Sequence, residues 1–444
     1  MHWGVYDQTI QELEDKLFSN ILLAQRQFNE VRPADFGKHT LSNQISHELQ
    51  SFRGCTTKLP TVYSGRGHGP FAEMLDGSVK FDLIGGIGPY LLGHSHPLQI
   101  KANLEAARGC ILNSTNFLPA SISADVSRLL INAAGGSPLV HCWFSGSGSM
   151  ANDSAMRLMW HKRAPRKKLI AFKHSFAGRS LAMQSITSGE TSTESLSLHY
   201  IDFPNDEVSG QRCLEQLNTL LVNQSDEYCC FYGELIQGEA GIHAPHQKSL
   251  VQLFEKLKSC NIPIWIDEVQ TFARTKQLFS FQTFGVSKFI DICTIGKAFN
   301  LSAVLYSKDF AIPHGLGGTF QGSVSSLLYA KSLLKLLSNG PFHGPSGRIN
   351  SLEEKIRSAF EGLNSRFNVR GIGTMWAITI DDGDELTTMR FLSHLFEQGI
   401  IAWKAGRQEY CIRLLFPITL LDEHLEQIKS IFNGCAKHIP AVES

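Results

Sequence analysis

Apolar residues recur at helical spacing over residues 9–28, and this predicts an amphipathic helix near the start of the chain. Residues 79–84, VKFDLI, read as a short strand, and residues 85–97, GGIGPYLLGHSHP, as a tight glycine-rich loop approaching something closely. From about residue 98 the pattern changes to short apolar runs separated by helical stretches. The runs predict strands at 139–144, 168–172, 228–235, 262–266, 289–295 and 302–306. Helices are expected at 151–161, 245–259 (with Pro245 in the first turn) and 323–337. Short buried strands alternating with helices imply a mostly parallel sheet covered on both faces. The tail adds strand-like segments within 369–380, a helix at 389–398, a strand at 410–415 and a helix at 422–438, which suggests a smaller α/β domain. No internal repeat and no low-complexity linker is visible.

Length and composition narrow this picture only a little. The chain has 444 residues, 43% of them hydrophobic and 18% charged, a globular composition with room for two or three domains. Lys plus Arg and Asp plus Glu are both 41, so no global field favours nucleic acid or an anionic membrane. The basic run at 161–168 has no interleaved aromatic platform and reads as a solvated helix end. Ten scattered cysteines without a Cys-x-x-Cys pair suggest reduced thiols in a cytoplasmic compartment. No secretory signal pattern opens the chain, and no apolar run reaches the roughly 18 residues of a membrane span.

Three segments carry candidate chemistry. In IPIWIDEVQTFART, an apolar strand runs into Asp267 and Glu268, and the carboxyl ends of strands carry ligand sites in doubly wound sheets. An Asp there can face a protonated ring nitrogen, although acidic residues also cap following helices. In DICTIGKAFN, a second strand runs into Gly296 and Lys297, and a partly desolvated lysine becomes a nucleophile toward carbonyls. In FSGSGSMAND, a strand passes into a helix whose first N–H groups, at Gly148 and Ser149, can cradle a phosphate, with the hydroxyls of Ser147 and Ser149 as further donors. It is neither a Walker loop nor a dinucleotide fingerprint. An anion cradle, a carboxylate and a lysine on one rim are the combination that pyridoxal 5'-phosphate requires. His68, His94 and His96 cluster near glycines, but no carboxylate or cysteine joins them at metal-ligand spacing, so no metal is assigned.

Over roughly residues 60–435 the sequence resembles the class III aminotransferases of fold type I, which include ornithine, acetylornithine and ω-amino-acid aminotransferases. IDEVQTFART followed by IGKAF is the most specific part. GELIQGEAG (233–241), GTFQG (318–322) and IRLLFPIT (412–419) follow in family order. The resemblance implies an aspartate-aminotransferase-type α/β fold with a large, mostly parallel sheet domain (98–335) and a smaller α/β domain (336–444). Residues 1–97 would serve the small domain and a dimer interface, in a homodimer with shared active sites. Lys297 would hold the cofactor and move the proton. Asp267 would pair with the pyridine nitrogen, and Gln270 would contact the phenolic oxygen. Val269 and Phe176 would pack on the two ring faces. Gly148 and Ser149 would hold phosphate together with Thr319 of the neighbouring subunit. Arg413 would grip the substrate α-carboxylate, with Glu239 as its releasable partner and Arg179 placed for a second carboxylate. Glu234 falls near the cofactor without a unique role.

The chain departs from the family pattern at several walls. Ala177 replaces a frequent His, Ser323 and Val324 replace Asn-Pro, and Gly146 to Ala151 replace Asn-Ser-Gly-Thr-Glu-Ala. The glycine-rich stretch after the lysine is shortened to Ala298, Phe299 and Asn300. The implied activity is ping-pong transfer of an amino group from an amino acid or ω-amine to a keto acid such as 2-oxoglutarate. The alternatives are a glutamate-semialdehyde-type aminomutase and a catalytically silent cofactor-binding homologue.

Overall fold

The computed structural model describes residues 5–109, 118–188, 197–222, 225–318 and 321–438. Among them the strands form three sheets. The first combines β1 (Tyr63–His68), β2 (Phe71–Met74) and β3 (Val79–Asp82) with the distant β13 (Ile400–Ile401), which pairs parallel to β3. The central sheet holds β4 (Leu139–Ser145), β5 (Lys168–Phe172), β6 (Leu198–Ile201), β7 (Tyr228–Glu234), β8 (Ile264–Glu268), β9 (Ile292–Ile295) and β10 (Ser302–Ser307). The third is an antiparallel sheet of β11 (Phe367–Ile372), β12 (Met375–Ile380), β14 (Trp403–Ala405) and β15 (Cys411–Leu415).

The central order is β4-β10-β9-β8-β7-β5-β6. Neighbours from β9 to β6 are parallel, whereas β10 runs antiparallel to both β9 and β4. The mostly parallel sheet expected from the apolar runs is therefore present, and both faces are covered. Ile264 and Ile266 of β8 pack into the cluster on one side and Trp265 into that on the other, the period-two alternation of a strand buried twice. The third sheet has its own core, in which Trp376, Ile378, Ile412 and Leu414 meet helices Arg348–Phe360, Glu385–Glu397 and Asp422–Ala436.

Several boundaries differ from the sequence expectation. The first helix spans Val5–Gln25, and Phe28 leaves it to be buried at 2% exposure in the core of the third sheet. The helix expected from 245 begins at Gln247, so Pro245 precedes its N-cap. The segment 369–380 is a hairpin of two strands. Strand β8 continues through Asp267 and Glu268, which pair with β7 and β9 rather than capping a helix. None of the helices among the described residues is long and apolar enough to cross a membrane.

Candidate active site

Strands β7, β8 and β9 lie side by side, and their carboxyl ends form one rim. Asp267 sits on β8 opposite Glu234 of β7 and Thr294 of β9. Lys297 follows β9 by two residues, at φ 44. That left-handed conformation is uncommon for a residue with a Cβ, and it persists where surrounding structure over-determines it. Here Gly88 of the glycine-rich loop lies against the lysine: a Cβ at this glycine would stand 3.2 Å from Lys297 Cδ. Arg274 fixes that approach. Its guanidinium is fully buried and donates to the carbonyls of Gly88 (2.7 Å) and Phe416 (3.1 Å) and to Thr374 Oγ1 (3.3 Å). Three distant segments are thus tied around one lysine.

Among the described residues the Lys297 amine makes no hydrogen bond or ion pair. Burial and the neighbouring Arg413 bring its pKa down to about 8, against the opposing pull of Glu239, Glu234 and Asp267. Asp267 is 5% exposed and accepts three hydrogen bonds. They come from Asn152 Nδ2 (2.6 Å), from the Tyr232 hydroxyl (3.0 Å) and from the Val269 N–H (2.8 Å). All three donors are neutral. Burial outweighs them and raises the Asp267 pKa, and no cation contacts this carboxylate directly among the described residues.

The phosphate-type cradle sits beside this carboxylate. Ser147 is the N-cap of helix Gly148–Arg163, its Oγ accepting from the Met150 N–H at 3.3 Å. The N–H groups of Gly148 and Ser149 open the first turn and carry no hydrogen bond among the described residues, which leaves them as donors for an anion. Ser149 Oγ accepts from the Arg179 N–H at 3.1 Å. Val269 fills the space between Gly148 and Gly296: a Cβ on either glycine would come within 2.8 or 3.1 Å of its Cγ1. Gln270 Oε1 is buried without a hydrogen-bond partner among the described residues, and a buried polar end of this kind needs a partner.

Phe176 is held from both sides of its backbone. Its N–H donates to Glu234 Oε1 (2.8 Å), and its carbonyl accepts from the Tyr232 hydroxyl (2.9 Å). Glu234 therefore has a definite role. Its carboxyl group sets the position of Phe176, and burial beside Asp267 raises its pKa to about 8. Arg413 of β15 is 1% exposed and pairs with Glu239 Oε1 at 2.6 Å. Arg179 is exposed, with its guanidinium 5.8 Å from the Phe176 ring centroid. Thr319 lies outside the described residues. His94 Nε2 donates to Asp82 Oδ2 at 2.9 Å, and its ring lies tilted against that of Tyr90, a structural pairing.

Sequence reasoning missed Asn152, Tyr232 and Arg274. Asn152 was discoverable, because it occupies the apolar face of its helix together with Ala151, Ala155, Met156 and Met159. A polar side chain on a buried face needs a partner. Tyr232 carries no such signal in a strand without a charged residue before Glu234.

The residues fit pyridoxal phosphate: open N–H donors for its phosphate, a buried carboxylate, an orphaned amide oxygen and an unpaired lysine meet on one rim. A family model described as aminotransferase class-III matches residues 56–435. Acetylornithine aminotransferase of Streptococcus mutans is 27% identical over 378 residues, covering 82% of this chain and 92% of that protein. The probable 4-aminobutyrate aminotransferase of Bacillus subtilis is 26% identical over 404 residues, covering 83% and 91%. Among solved structures, lysine aminotransferase from M. tuberculosis aligns with a TM-score of 0.80 at 19% identity, covering 90% of this chain and 100% of that one. Acetylornithine aminotransferase from Elizabethkingia anophelis aligns with a TM-score of 0.74 at 25% identity, covering 89% and 99%. The chain belongs to the class-III aminotransferase family and is a pyridoxal-phosphate-dependent transaminase.

Proposed function

We propose that this chain transfers an amino group from a carboxylate-bearing amino acid, at its α- or ω-amine, to a keto acid such as 2-oxoglutarate, with Lys297 and Asp267 at the reacting centre. The observation that carries the reading is the pairing of buried Arg413 with the half-buried Glu239, 2.6 Å long. Arg413 is a carboxylate receptor, and Glu239 occupies it when the substrate offers no carboxylate at that point. Such a pair lets one pocket accept two substrates of different charge in alternation. Relatives named for acetylornithine, 4-aminobutyrate and lysine point to the same substrate class.

When bound, pyridoxal phosphate supplies an aldehyde and an electron-withdrawing ring that takes up the charge left by a departing proton. Lys297 would hold the cofactor, and its freed amine would take a proton from the substrate carbon and return it during the transfer. A pKa near 8 leaves a useful neutral fraction of this lysine at physiological pH. Asp267 would face the ring nitrogen, where a positive charge would compensate the burial that raises its pKa. Asn152 and Tyr232 aim its carboxylate. Gly148, Ser149 and Ser147 would hold the phosphate, with Thr319 of a second subunit in the role the family resemblance implies. Val269 and Phe176 would enclose the ring, and Gln270 would contact the phenolic oxygen. Arg179 stands over Phe176 as a second carboxylate contact.

The proposed assembly is a homodimer in which each subunit completes the other's site. The proposed division is a segment 1–97, a cofactor-binding domain 98–335 and a small domain 336–444. The pairing of β3 with β13 supports joining the first segment to the last.

Purified protein is expected to absorb in the visible range and to consume 2-oxoglutarate with ornithine, acetylornithine, lysine or 4-aminobutyrate as donor. Lys297→Ala is expected to lose the native absorbance and about 10³-fold or more of turnover. Turnover of a donor with no external keto acid consumed would favour the aminomutase reading. Cofactor absorbance with no turnover on the whole panel would favour a silent homologue.

A further inference from the structure

A cleft of about 570 Å³ opens on the same carboxyl rim as Lys297, beyond the outer strands. Lys173 and His174 follow β5 into it, Asp202 follows β6, and Gln237 follows β7. Across from them the β14–β15 turn presents Arg407 and Glu409. None of these residues serves the cofactor or substrate contacts above.

Positive charge is in excess here. Lys173 and Arg212 share a single carboxylate, Asp202, at 2.6 and 3.3 Å. Arg407 donates to the main-chain carbonyl of Thr187 and meets no carboxylate among the described residues. Glu409 faces Arg370, at 3.5 Å. His174 and His243 also line the wall. Burial and the nearby cations push both below the ordinary imidazole range, so they act as uncharged hydrogen-bonding groups at neutral pH. The volume falls within the roughly 300–1,000 Å³ of small-molecule pockets.

The back wall of the cleft is the loop that carries Glu239. The Gly406 N–H donates to the Glu239 carbonyl at 2.8 Å, and Arg370 Nε donates to the Gly241 carbonyl at 2.7 Å. The turn bearing Arg407 is thus hydrogen-bonded to the main chain of the residue that holds Arg413.

We propose that this cleft is a second binding site, for a small oxyanion-bearing molecule of the carboxylate or phosphate class, held between Lys173 after β5 and Arg212 of helix Glu207–Leu221 on one side and Arg407 on the turn. A ligand bridging the two sides holds the turn against the rim and steadies the main chain behind Glu239. The inference does not depend on which donor the catalytic centre takes.

The test is calorimetric titration of the cofactor-loaded protein with succinate and, separately, with inorganic phosphate. Saturable binding is expected to survive Arg413→Gln, which removes the catalytic carboxylate receptor. It is expected to weaken by about tenfold or more in Arg407→Gln and in Arg212→Gln, the loss of one charge-assisted hydrogen bond. Circular dichroism checks that each variant is folded, and Lys173→Gln replaces one that is not. Saturation is also expected to slow amide hydrogen exchange over residues 404–410 in the unaltered protein. Binding of phosphate alone, or of succinate alone, supports the site and assigns its ligand class. No saturable binding of either probe, or binding that vanishes in Arg413→Gln and persists in Arg407→Gln, overturns the proposal.

Discussion

Lys297 works in this account because its environment disfavours the ammonium form. Burial comes first and Arg413 second, and together they bring its pKa to about 8 from an ordinary 10.5. Only the neutral amine attacks an aldehyde. The rate of cofactor uptake by cofactor-free protein should therefore rise with pH through about 8 and then level off. Stopped-flow absorbance checks this, and a rate still climbing above pH 10 would show an unperturbed lysine. Arg413 offers a second residue-scale prediction. Losing one charge-assisted bond to a carboxylate costs about 1.5–3 kcal/mol. Arg413→Gln should thus raise KM for 2-oxoglutarate roughly 10- to 100-fold, with a smaller change in the affinity for pyridoxal phosphate. Equal losses in both would mean that Arg413 serves the fold rather than the substrate.

At the scale of elements, strand β8 explains why two adjacent acids have separate roles. Alternation sends Asp267 toward the cofactor side and Glu268 to the opposite face. There Glu268 accepts from Ser280 Oγ (2.6 Å), from the Phe281 N–H (3.0 Å) and from the Thr271 hydroxyl. It pins residues 271–281 beneath the strand end that carries Val269 and Gln270. Burial raises its pKa to about 7 from 4.5. The folded state thus holds a proton that the unfolded chain releases at lower pH. This group's contribution to stability is complete below about pH 4.5 and is lost as pH rises through about 7. Glu268→Gln, which cannot ionise, should flatten the fall in melting temperature between pH 5 and 8. An unchanged fall would assign it to other groups. The same strand shows what was legible beforehand. Asp267, Val269, Gln270 and Lys297 lie in short contiguous segments at strand ends, where an abrupt change from apolar to polar marks the rim. Asn152 stands out as a polar position on an apolar helix face, but its partner is not readable there, and Tyr232, inside a strand, is indistinguishable from core filling until its neighbour is known. Arg274 was illegible for another reason: its acceptors, at residues 88, 374 and 416, meet only in three dimensions.

At the scale of the molecule, three sheets converge on one rim. The central sheet provides Asp267 and Lys297, the first sheet leads into the loop that rests on the lysine, and the third provides Arg413. The mostly parallel centre was readable because buried parallel strands are apolar throughout. The pairing of β3 with β13 was not, because a two-residue strand has no periodicity to read. The proposed assembly predicts twice the chain's mass by sedimentation equilibrium at micromolar concentration. A fully active monomer would contradict shared sites. The central claim is tested most directly by treating the cofactor-loaded protein with borohydride, which makes the lysine linkage permanent, and mapping the tagged peptide by mass spectrometry. The phosphopyridoxyl group is expected on Lys297 and on no other lysine. Its appearance on a different lysine, with Lys297 unmodified, would contradict that claim.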